Sequence, residues 1–539
     1  MKTILPLFVF LVAMSLVGGA QAQLPGYPAP RYPKIPDITT VDQLMPYARF
    51  IVAKPGDKTI VMRPGYGIQG GERVLMALSN NTDPLVVEAF RRAFLEKNCK
   101  VDVLTLPGTA RSAPIGPADG ADEAKLYLLS YQFRLAESRN VPTKGLAARG
   151  INFNNETESD ATALANFMAA RKYNLVIGNS DDVGNKNEYL AERMSWFTRE
   201  MLASEASAYP EELLQLIDRK GWEIIRAAKK THFTDPEGTD MSYTWFPEYW
   251  QVVEGTHPEI KTLGGGPMSG QSGYIYGPGR SEDPLIPGHL MGVPLAIMLK
   301  QSDGEGVIAG TSNHVGPFPH IEIQNKKHEV VEMRGGGEFG QVWNAYLEKY
   351  KNVKYPMDPR PGGLSFLMES SIGTNPKISR PYNTMEMPPE SAKGVWYRPG
   401  AWVEERRRSG VVHWGIGRFL REQSDWAIKN GEPISHFHIH QYFATYEATL
   451  QDGKKVLILN KGRLTALDDP EVRKVAAKYG DPDELLREDW IPAIPGINIP
   501  GDYMKDYGQD PAKWVTEEHR KAYPEAIARW KERGYNIYK

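Results

Sequence analysis

The sequence predicts an α/β protein: an N-terminal doubly wound, Rossmann-like domain, then a C-terminal β-rich α+β metal-binding domain and a helical tail. Two observations carry this prediction. Up to about residue 230, continuous apolar runs typical of buried parallel strands alternate with amphipathic helical segments. From about Thr231, glycine and proline become frequent and short strand patterns replace the helices. The predicted boundaries are 61–230 for the α/β domain, 231–465 for the β-rich domain and 466–539 for the tail.

The α/β domain is built from recognisable strand and helix patterns. RVLMALS, at Arg73–Ser79, is an apolar run suited to a buried strand, and Asn81, Thr82 or Asp83 can cap the helix that follows. The other predicted strands are Lys100–Leu106 and Asn174–Gly178, and the predicted helices are Leu85–Lys97, Ala161–Lys172, Ala191–Ala206 and Pro210–Ala228. In the β-rich domain the predicted strands include Gly306–Gly310, Glu329–Met333, Val411–His413 and Lys454–Leu459. This alternation followed by strands favours two unlike domains.

The first residues predict export. Residues 1–22 combine Lys2, an apolar run from Ile4 to Val17 and the small residues Ala20 and Ala22, which is the pattern of a cleaved signal peptide. The run is too short to span a bilayer comfortably. We therefore expect an exported, periplasmic protein without a stable membrane anchor. Residues 23–60 are rich in proline and predict an extended arm.

Composition excludes several kinds of site. The 539 residues carry a formal net charge of −2, which gives no chain-wide basic surface for nucleic acid. The single cysteine, Cys99, excludes thiolate zinc and iron–sulfur sites, so any metal must be held by His, Asp or Glu. The glycine-rich loop Pro64–Gly71 precedes a strand instead of joining a strand to a helix, so no nucleotide cofactor is predicted.

The histidines are concentrated in the β-rich half. Eight of the eleven fall between His289 and His440, and the densest group is SHFHIHQ at 435–441. If this segment is a strand, His436, His438 and His440 share one face because side chains alternate with period two. A shared metal would relieve the repulsion among three converging imidazoles. The alternative is a solvent-facing strand with incidental histidines.

Three further residues are candidate ligands. His413 lies on an apolar strand in GVVHWGIG, Glu369 follows an apolar run in FLMESSIG, and His289 follows the Pro-Gly turn of LIPGHLMG. A buried acid is either paired or a ligand. One carboxylate with two or three imidazoles is the ligand set of catalytic zinc and also of non-haem iron(II). The ligand types alone leave both open.

Several motifs together resemble the aminopeptidase T-like (thermophilic metallo-aminopeptidase) superfamily, which also contains the 2,5-dihydroxypyridine ring-cleaving dioxygenases. The motifs occur in patches over roughly residues 70–465. In order they are GERVLMALSNNTDPLVVEAF, TDPEGTDMSY, LIPGHLMG, EGVIAGT, HEVVEMRGGG, ESSIGTNPK, SGVVHWGIG and HIHQYF…LQDGKKVLILNKGR. Taken without the resemblance, TDPEGTDMSY predicts only a hairpin.

The resemblance implies a metal site. Glu369, His413 and His438 match the ligand pattern of the aminopeptidases, whereas His289 and His440 stand where those enzymes have acids. Two metal ions about 3.5–4 Å apart need bridging carboxylates to offset their repulsion, so the two histidines favour a single ion. The expected cofactor is a divalent metal: zinc, cobalt or iron(II).

Three functions follow from this site. The first is a metal-dependent, aminopeptidase-like hydrolase of peptides or amides, in which Glu405 or Glu447 moves protons and Tyr442 stabilises an oxyanion. The second is an iron(II) dioxygenase of aromatic diol-like substrates, in which Trp402, Trp414, Phe437 and Tyr442 line a flat pocket; the alternative for these aromatic residues is an ordinary place in the core. The third is a periplasmic metal- or ligand-binding protein without catalysis. The expected partner is a small molecule or a short peptide, and the resemblance implies a homodimer.

Overall fold

The computed structural model describes most of the chain outside several loops. The described residues are 23–54, 66–79, 83–106, 170–178, 190–193, 198–253, 258, 289–292, 303–313, 317–356, 363–380, 404–418, 426, 430, 432 and 435–533. The predicted signal peptide lies outside them, as does the predicted helix Ala161–Lys172 up to residue 169.

A four-stranded parallel sheet forms the N-terminal part. Its strands are β1 (Arg73–Ser79), β2 (Lys100–Leu106), β3 (Leu175–Gly178) and β4 (Leu190–Arg193), in the order β2-β1-β3-β4. Helices α1 (Val41–Ala53) and α2 (Pro84–Glu96) contribute to its core. Asp83 caps α2 because its side chain accepts the N–H of Leu85. The α/β class and the first three strands are confirmed, whereas the division into domains stays a prediction.

The prediction of a helix over Ala191–Ala206 is wrong. Residues 190–193 form strand β4, which pairs in parallel with β3, and only a short helix, α3 (Arg199–Leu202), follows, capped by Thr198. The sequence of this region is rich in leucine, alanine, glutamate and methionine, which favour helices. Pairing with the exposed edge of β3 outweighs that local preference at 190–193. The next predicted helix is confirmed as α4 (Glu211–Ala227).

An eight-stranded antiparallel sheet follows α4. Its strands are β5 (Ala228–Thr234), β6 (Asp240–Thr244), β8 (Glu305–Ser312), β9 (Pro317–Lys326), β10 (Glu329–Gly335), β14 (Thr445–Leu450), β15 (Lys455–Asn460) and β16 (Arg463–Leu464). The order is β10-β9-β8-β6-β5-β14-β15-β16. The TDPEGTD motif is the turn between β5 and β6, as predicted. Helices α5 (Pro247–Val253) and α6 (Gly337–Lys349) lie between these strands in the chain.

A second antiparallel sheet carries the candidate ligands. Strands β7 (His289–Gly292), β11 (Leu367–Gly373), β12 (Val412–Arg418) and β13 (Ser435–Gln441) are ordered β13-β12-β11-β7. One hydrophobic core joins the two antiparallel sheets. Phe233 on β5 contacts Trp414 on β12 with ring centroids 4.6 Å apart, and Trp343 on α6 contacts Phe437 on β13 at 4.5 Å.

The C-terminal segment, residues 466–539, is described as far as residue 533 and returns to the body of the protein. Its helices are α7 (Pro470–Ala476), α8 (Pro482–Leu485), α9 (Pro511–Ala522) and α10 (Pro524–Glu532), with a π-helical turn at Tyr503–Gly508. Arg31 of the Pro-rich arm pairs with Ile491, and Trp530 is buried in the core of the parallel sheet. In the described part of the chain, no helix has the length and apolar character needed to cross a membrane.

Candidate functional site

Three histidines meet on adjacent strands of the second sheet. His413 on β12 pairs directly with His440 on β13, and His438 pairs with Gly415. The ring centroid of His413 lies 5.3 Å from that of His438 and 6.1 Å from that of His440. All three side chains are buried. SHFHIHQ is therefore a strand, as predicted, and it is a buried one; the side chain of His436 lies outside the described part.

The aromatic residues of these strands do not line the histidine face. Trp414, Phe437 and Ile439 alternate with the histidines along β12 and β13, so their side chains point to the opposite face of the sheet. There Trp414 and Phe437 are completely buried in the core between the two sheets. Their predicted role as walls of a flat substrate pocket is therefore wrong for these two residues.

Register places Glu369 close to the histidines in the sheet. Gly415 on β12 pairs with Glu369 of β11 on one side and with His438 of β13 on the other. In the next row, His413 pairs with Ser371 of β11 and with His440. The backbone of Glu369 is described, but its side chain lies outside the described part.

His289 occupies the row beyond. It begins β7 and pairs with Gly373 of β11, four residues along the strand from Glu369. Only its backbone belongs to the described part. The sheet thus carries all five predicted ligands on four neighbouring strands.

Glu405 accepts three hydrogen bonds at the edge of the histidine group. Its Oε1 lies within hydrogen-bond distance of Nδ1 of His440, at 2.9 Å, and accepts from the hydroxyl of Tyr442 at 2.7 Å. Its Oε2 accepts from Nε of Arg380 at 2.6 Å. Ser312 extends the network, since its Oγ lies 2.5 Å from the hydroxyl of Tyr442. All five side chains are buried, with at most 1% of each residue exposed.

Burial and charge act in opposite directions on Glu405 and His440. Burial alone would raise the pKa of the Glu405 carboxyl, but the positive charge of Arg380 and the hydrogen bonds from His440 and Arg380 outweigh it and lower that pKa. Burial lowers the pKa of His440 to about 4, although the bond to Glu405 acts in the other direction. The network therefore pairs an ionised carboxylate with a neutral imidazole at pH 7.

Arg380 contacts two aromatic rings that meet edge to face, with ring centroids 5.9 Å apart. Its guanidinium carbon is 5.0 Å from the ring centroid of Tyr442 and 4.5 Å from that of Trp490 in the C-terminal segment. Attraction between the cation and these rings compensates part of the cost of burying a charge. Arg380, Ser312 and Trp490 were not predicted as site residues. Only the position of Arg380 just after the ESSIGTNPK motif could have indicated it.

Two of the three predicted catalytic residues lie beside His440, and the third lies in the larger sheet. Glu405 and Tyr442 are bonded to each other beside His440, and burial raises the pKa of Tyr442 well above its usual value. Glu447 lies on β14 of the larger sheet, where its carboxylate accepts from Nζ of Lys455 at 2.7 Å. The structure therefore brings two of the three to the histidines, and Glu447 belongs to an ion pair.

The donor chemistry of the three histidines fits a metal ion better than their arrangement does. Neutral imidazoles are metal ligands. The second ring nitrogen of a ligating histidine commonly donates its N–H to a carboxylate, and Nδ1 of His440 faces Glu405 in this way. However, among the side chains that the structure describes, no group of three or more His, Cys, Asp or Glu residues is arranged to hold a metal ion. Glu369 and His289 are among the five predicted ligands, but their side chains lie outside the described part.

A second buried acidic group lies in the turn between β5 and β6. Burial raises the pKa of Asp235 to about 7, and burial together with the charge of Asp235 raises that of Glu237 to about 8. Oε1 of Glu237 accepts from the hydroxyl of Tyr503 at 2.7 Å and from Oγ1 of Thr311 at 2.8 Å. The hydroxyl of Tyr507 lies 2.8 Å from the same Thr311 oxygen. The predicted hairpin thus also attaches the C-terminal segment to the larger sheet.

Comparison with solved structures gives matches at low sequence identity. The 2,5-dihydroxypyridine dioxygenase from Pseudomonas putida KT2440 shares 14% identity with a TM-score of 0.44, over 79% of this chain and 98% of that one. Wild-type AmpT from Thermus thermophilus shares 12% identity with a TM-score of 0.37, over 78% of this chain and 99% of that one. No family model matches the chain, and no curated protein sequence matches it significantly.

Proposed function

We propose that this chain is a metal-dependent enzyme that holds one divalent ion with Glu369, His413 and His438, and that His440 and His289 are further ligands or support them. The observation that carries the proposal is the buried histidine group. In it, His413 lies opposite His440, and the carboxylate of Glu405 contacts Nδ1 of His440. A solvent-facing strand with incidental histidines would have no reason to bury three imidazoles together.

The first candidate reaction is hydrolysis of a peptide or amide bond. A bound divalent ion would lower the pKa of a coordinated water and polarise the scissile carbonyl. The chain's own groups would orient the site: Glu405 fixes the ring of His440, and the hydroxyl of Tyr442 donates a hydrogen bond to Glu405. Because that proton is already committed, we assign Tyr442 a supporting role instead of the oxyanion role that the sequence predicted.

The second candidate is ring cleavage of an aromatic diol-like substrate with iron(II). Hydrolysis needs a group that accepts and releases a proton, and Glu405 already accepts three hydrogen bonds on its two oxygens. A carboxylate so occupied is better suited to holding a ligand than to moving protons. Glu369 with two histidines would match the two-His-one-carboxylate set of iron(II) oxygenases.

Metal analysis of protein purified without oxygen tests these proposals. One iron per chain, with oxygen uptake on catechol-like substrates, would support ring cleavage and exclude the peptidase. Zinc or cobalt, with amino acids released from peptides, would support hydrolysis. Bound metal without turnover of either substrate class would favour a binding protein, and absence of any tightly bound divalent ion would contradict the metal site. We also propose that the chain is exported, as residues 1–22 predict.

A further inference from the structure

We infer that Arg380, which lies over the ring of Trp490 in the C-terminal segment, positions Glu405 so that Nδ1 of His440 donates a hydrogen bond to it and Nε2 is presented to the site. This deepens the proposed function, and it rests on that proposal only for the role of His440 as a ligand. The contacts form one continuous path: ring to guanidinium, guanidinium to carboxylate, carboxylate to imidazole. We call this path the Arg380–Glu405–His440 chain.

The partners of Glu405 decide which ring nitrogen of His440 carries the proton. Glu405 is paired with Arg380, and an ionised carboxylate can only accept hydrogen bonds. Its Oε1 already accepts one from the hydroxyl of Tyr442. The contact of 2.9 Å with Nδ1 of His440 therefore requires that Nδ1 donates. In a neutral imidazole the other nitrogen, Nε2, then carries the lone pair that a metal ion needs.

Arg380 determines how the carboxylate is turned. Its Nε holds Oε2 at 2.6 Å, so Oε1 is directed towards His440 and Tyr442. The guanidinium itself contacts the rings of Tyr442 and Trp490. A residue far along the chain thereby fixes the orientation of a group beside the histidines. The C-terminal segment, through Trp490, therefore contributes to the geometry of the site.

Arg408 provides a matched control. It is also buried, with 2% of the residue exposed, and its guanidinium carbon lies 5.4 Å from the ring of Trp490. The hydrogen bonds of its side chain go to the carbonyl oxygens of Trp490 and Tyr442, and its charge acts on Glu488 more than on Glu405. Replacing Arg408 would therefore disturb the same region without removing the bond that orients Glu405.

Nitrogen-15 NMR of the histidine rings tests the inference directly. In protein labelled with [15N]histidine and freed of metal, at pH 7, the signals of His440 are identified by their loss in His440→Gln. We expect Nδ1 protonation of His440 in the parent protein and in Arg408→Met. We expect loss of that single tautomer in Arg380→Met, in Trp490→Leu and in Glu405→Gln. Protonation at Nε2 or at both nitrogens in the parent, or an unchanged tautomer in Arg380→Met, would overturn the inference.

Two further measurements keep the test decisive. Arg380→Lys retains the charge but loses Nε and the planar stack, so it gives a second variant if Arg380→Met does not fold, and we expect a mixed tautomer there too; an unchanged one would count against the inference. Metal affinity separates the two proposals: we expect Glu405→Gln to bind metal roughly 10–100-fold more weakly. A parent that binds no metal but shows the Nδ1 tautomer would refute the metal site alone. A parent that binds metal without that tautomer would refute this inference alone.

Discussion

His413 lies directly opposite His440 on the neighbouring strand, with ring centroids 6.1 Å apart in the buried interior. Imidazoles are common metal ligands, and we interpret the buried pair as two groups that one bound ion could contact. The neighbouring row, in which Gly415 separates Glu369 from His438, extends the same group of potential ligands across three strands. The experiments below ask whether this group acts as one site.

Removal of a histidine ligand should weaken metal binding. We expect His413→Ala and His438→Ala to lose most of the thermal stabilisation that added zinc, cobalt or anaerobic iron(II) gives to the parent protein, because metal that binds only the folded state stabilises it by mass action. The shift in Tm with metal concentration measures this. His232→Ala is the control, since His232 is 42% exposed at the side chain and pairs with Asp240. An equal loss in the control would contradict the assignment.

Breaking the buried ion pair should destabilise the fold. Arg380→Met leaves Glu405 as a buried charge without its cation, so the free energy of unfolding should fall by about 3–5 kcal/mol. Replacing both partners, as Arg380→Met with Glu405→Leu, should cost clearly less than the sum of the single changes. Urea unfolding of the four proteins measures the coupling. Strict additivity would show that the two side chains do not depend on each other.

The acidic group of the β5–β6 turn should make stability fall as pH rises. The folded state raises the pKa of Asp235 to about 7 and that of Glu237 to about 8, so it holds protons that the unfolded chain has already lost. The contribution is complete below about pH 4 and is lost as the pH rises through 7 and 8. The expected slope is about 1.4 kcal/mol per pH unit for each proton released.

Matched variants isolate that slope. The charged or titratable groups that act on the pair are Tyr27, Tyr503, Tyr507 and Arg380, and His320 lies 2.7 Å from the carbonyl of Glu237. Asp235→Asn and Glu237→Gln should each flatten unfolding free energy against pH between 5 and 8. Asp240→Asn is the control, because its side chain is 75% exposed in the same hairpin. A steep slope that survives in both variants would contradict the prediction.

Two glycines with the same backbone angle should respond differently to alanine. Gly410 has φ of +82° and Gly453 has φ of +85°, so both substitutions strain the backbone by about 1 kcal/mol. A Cβ at Gly410 would meet the carbonyl oxygen of Gly462 at 1.7 Å, whereas nothing lies within 4 Å at Gly453. Gly410→Ala should therefore cost about 1–3 kcal/mol more and should also weaken metal binding, because β12 starts two residues later. Equal unfolding free energies for the two variants would contradict the close approach.

Local patterns predicted the strands well because each carries its own signal. Period-two alternation in SHFHIHQ and the apolar run RVLMALS need no partner to be recognised. The helix at 191–206 was predicted wrongly because a partner strand decided the outcome at its start. For Trp414 and Phe437 the core is the correct one of the two alternatives, and the same alternation assigns them to it.

The sequence could indicate the residues that neighbouring strands bring together, but not the groups that surround them. His413, His438 and Glu369 could be selected by residue type and by motif. The contacts of Arg380 with Glu405 and Trp490 join residues 25 and 110 positions away along the chain, and no local pattern records such pairing. Glu405 was selected as a proton carrier, and only its three bonds indicate a different role.

The pairing of Arg31 with Ile491 joins two residues that are 460 positions apart, and Nη1 of Arg31 also reaches the carbonyl oxygen of Glu488 at 2.6 Å. Contacts of such separation form late in folding, because a long loop must first lose its freedom. The same C-terminal segment supplies the ring of Trp490 that lies over Arg380. A protein shortened by fifty residues would still contain the strands that carry the histidines but would lack this ring, so we expect it to lose the alignment of Glu405 with His440.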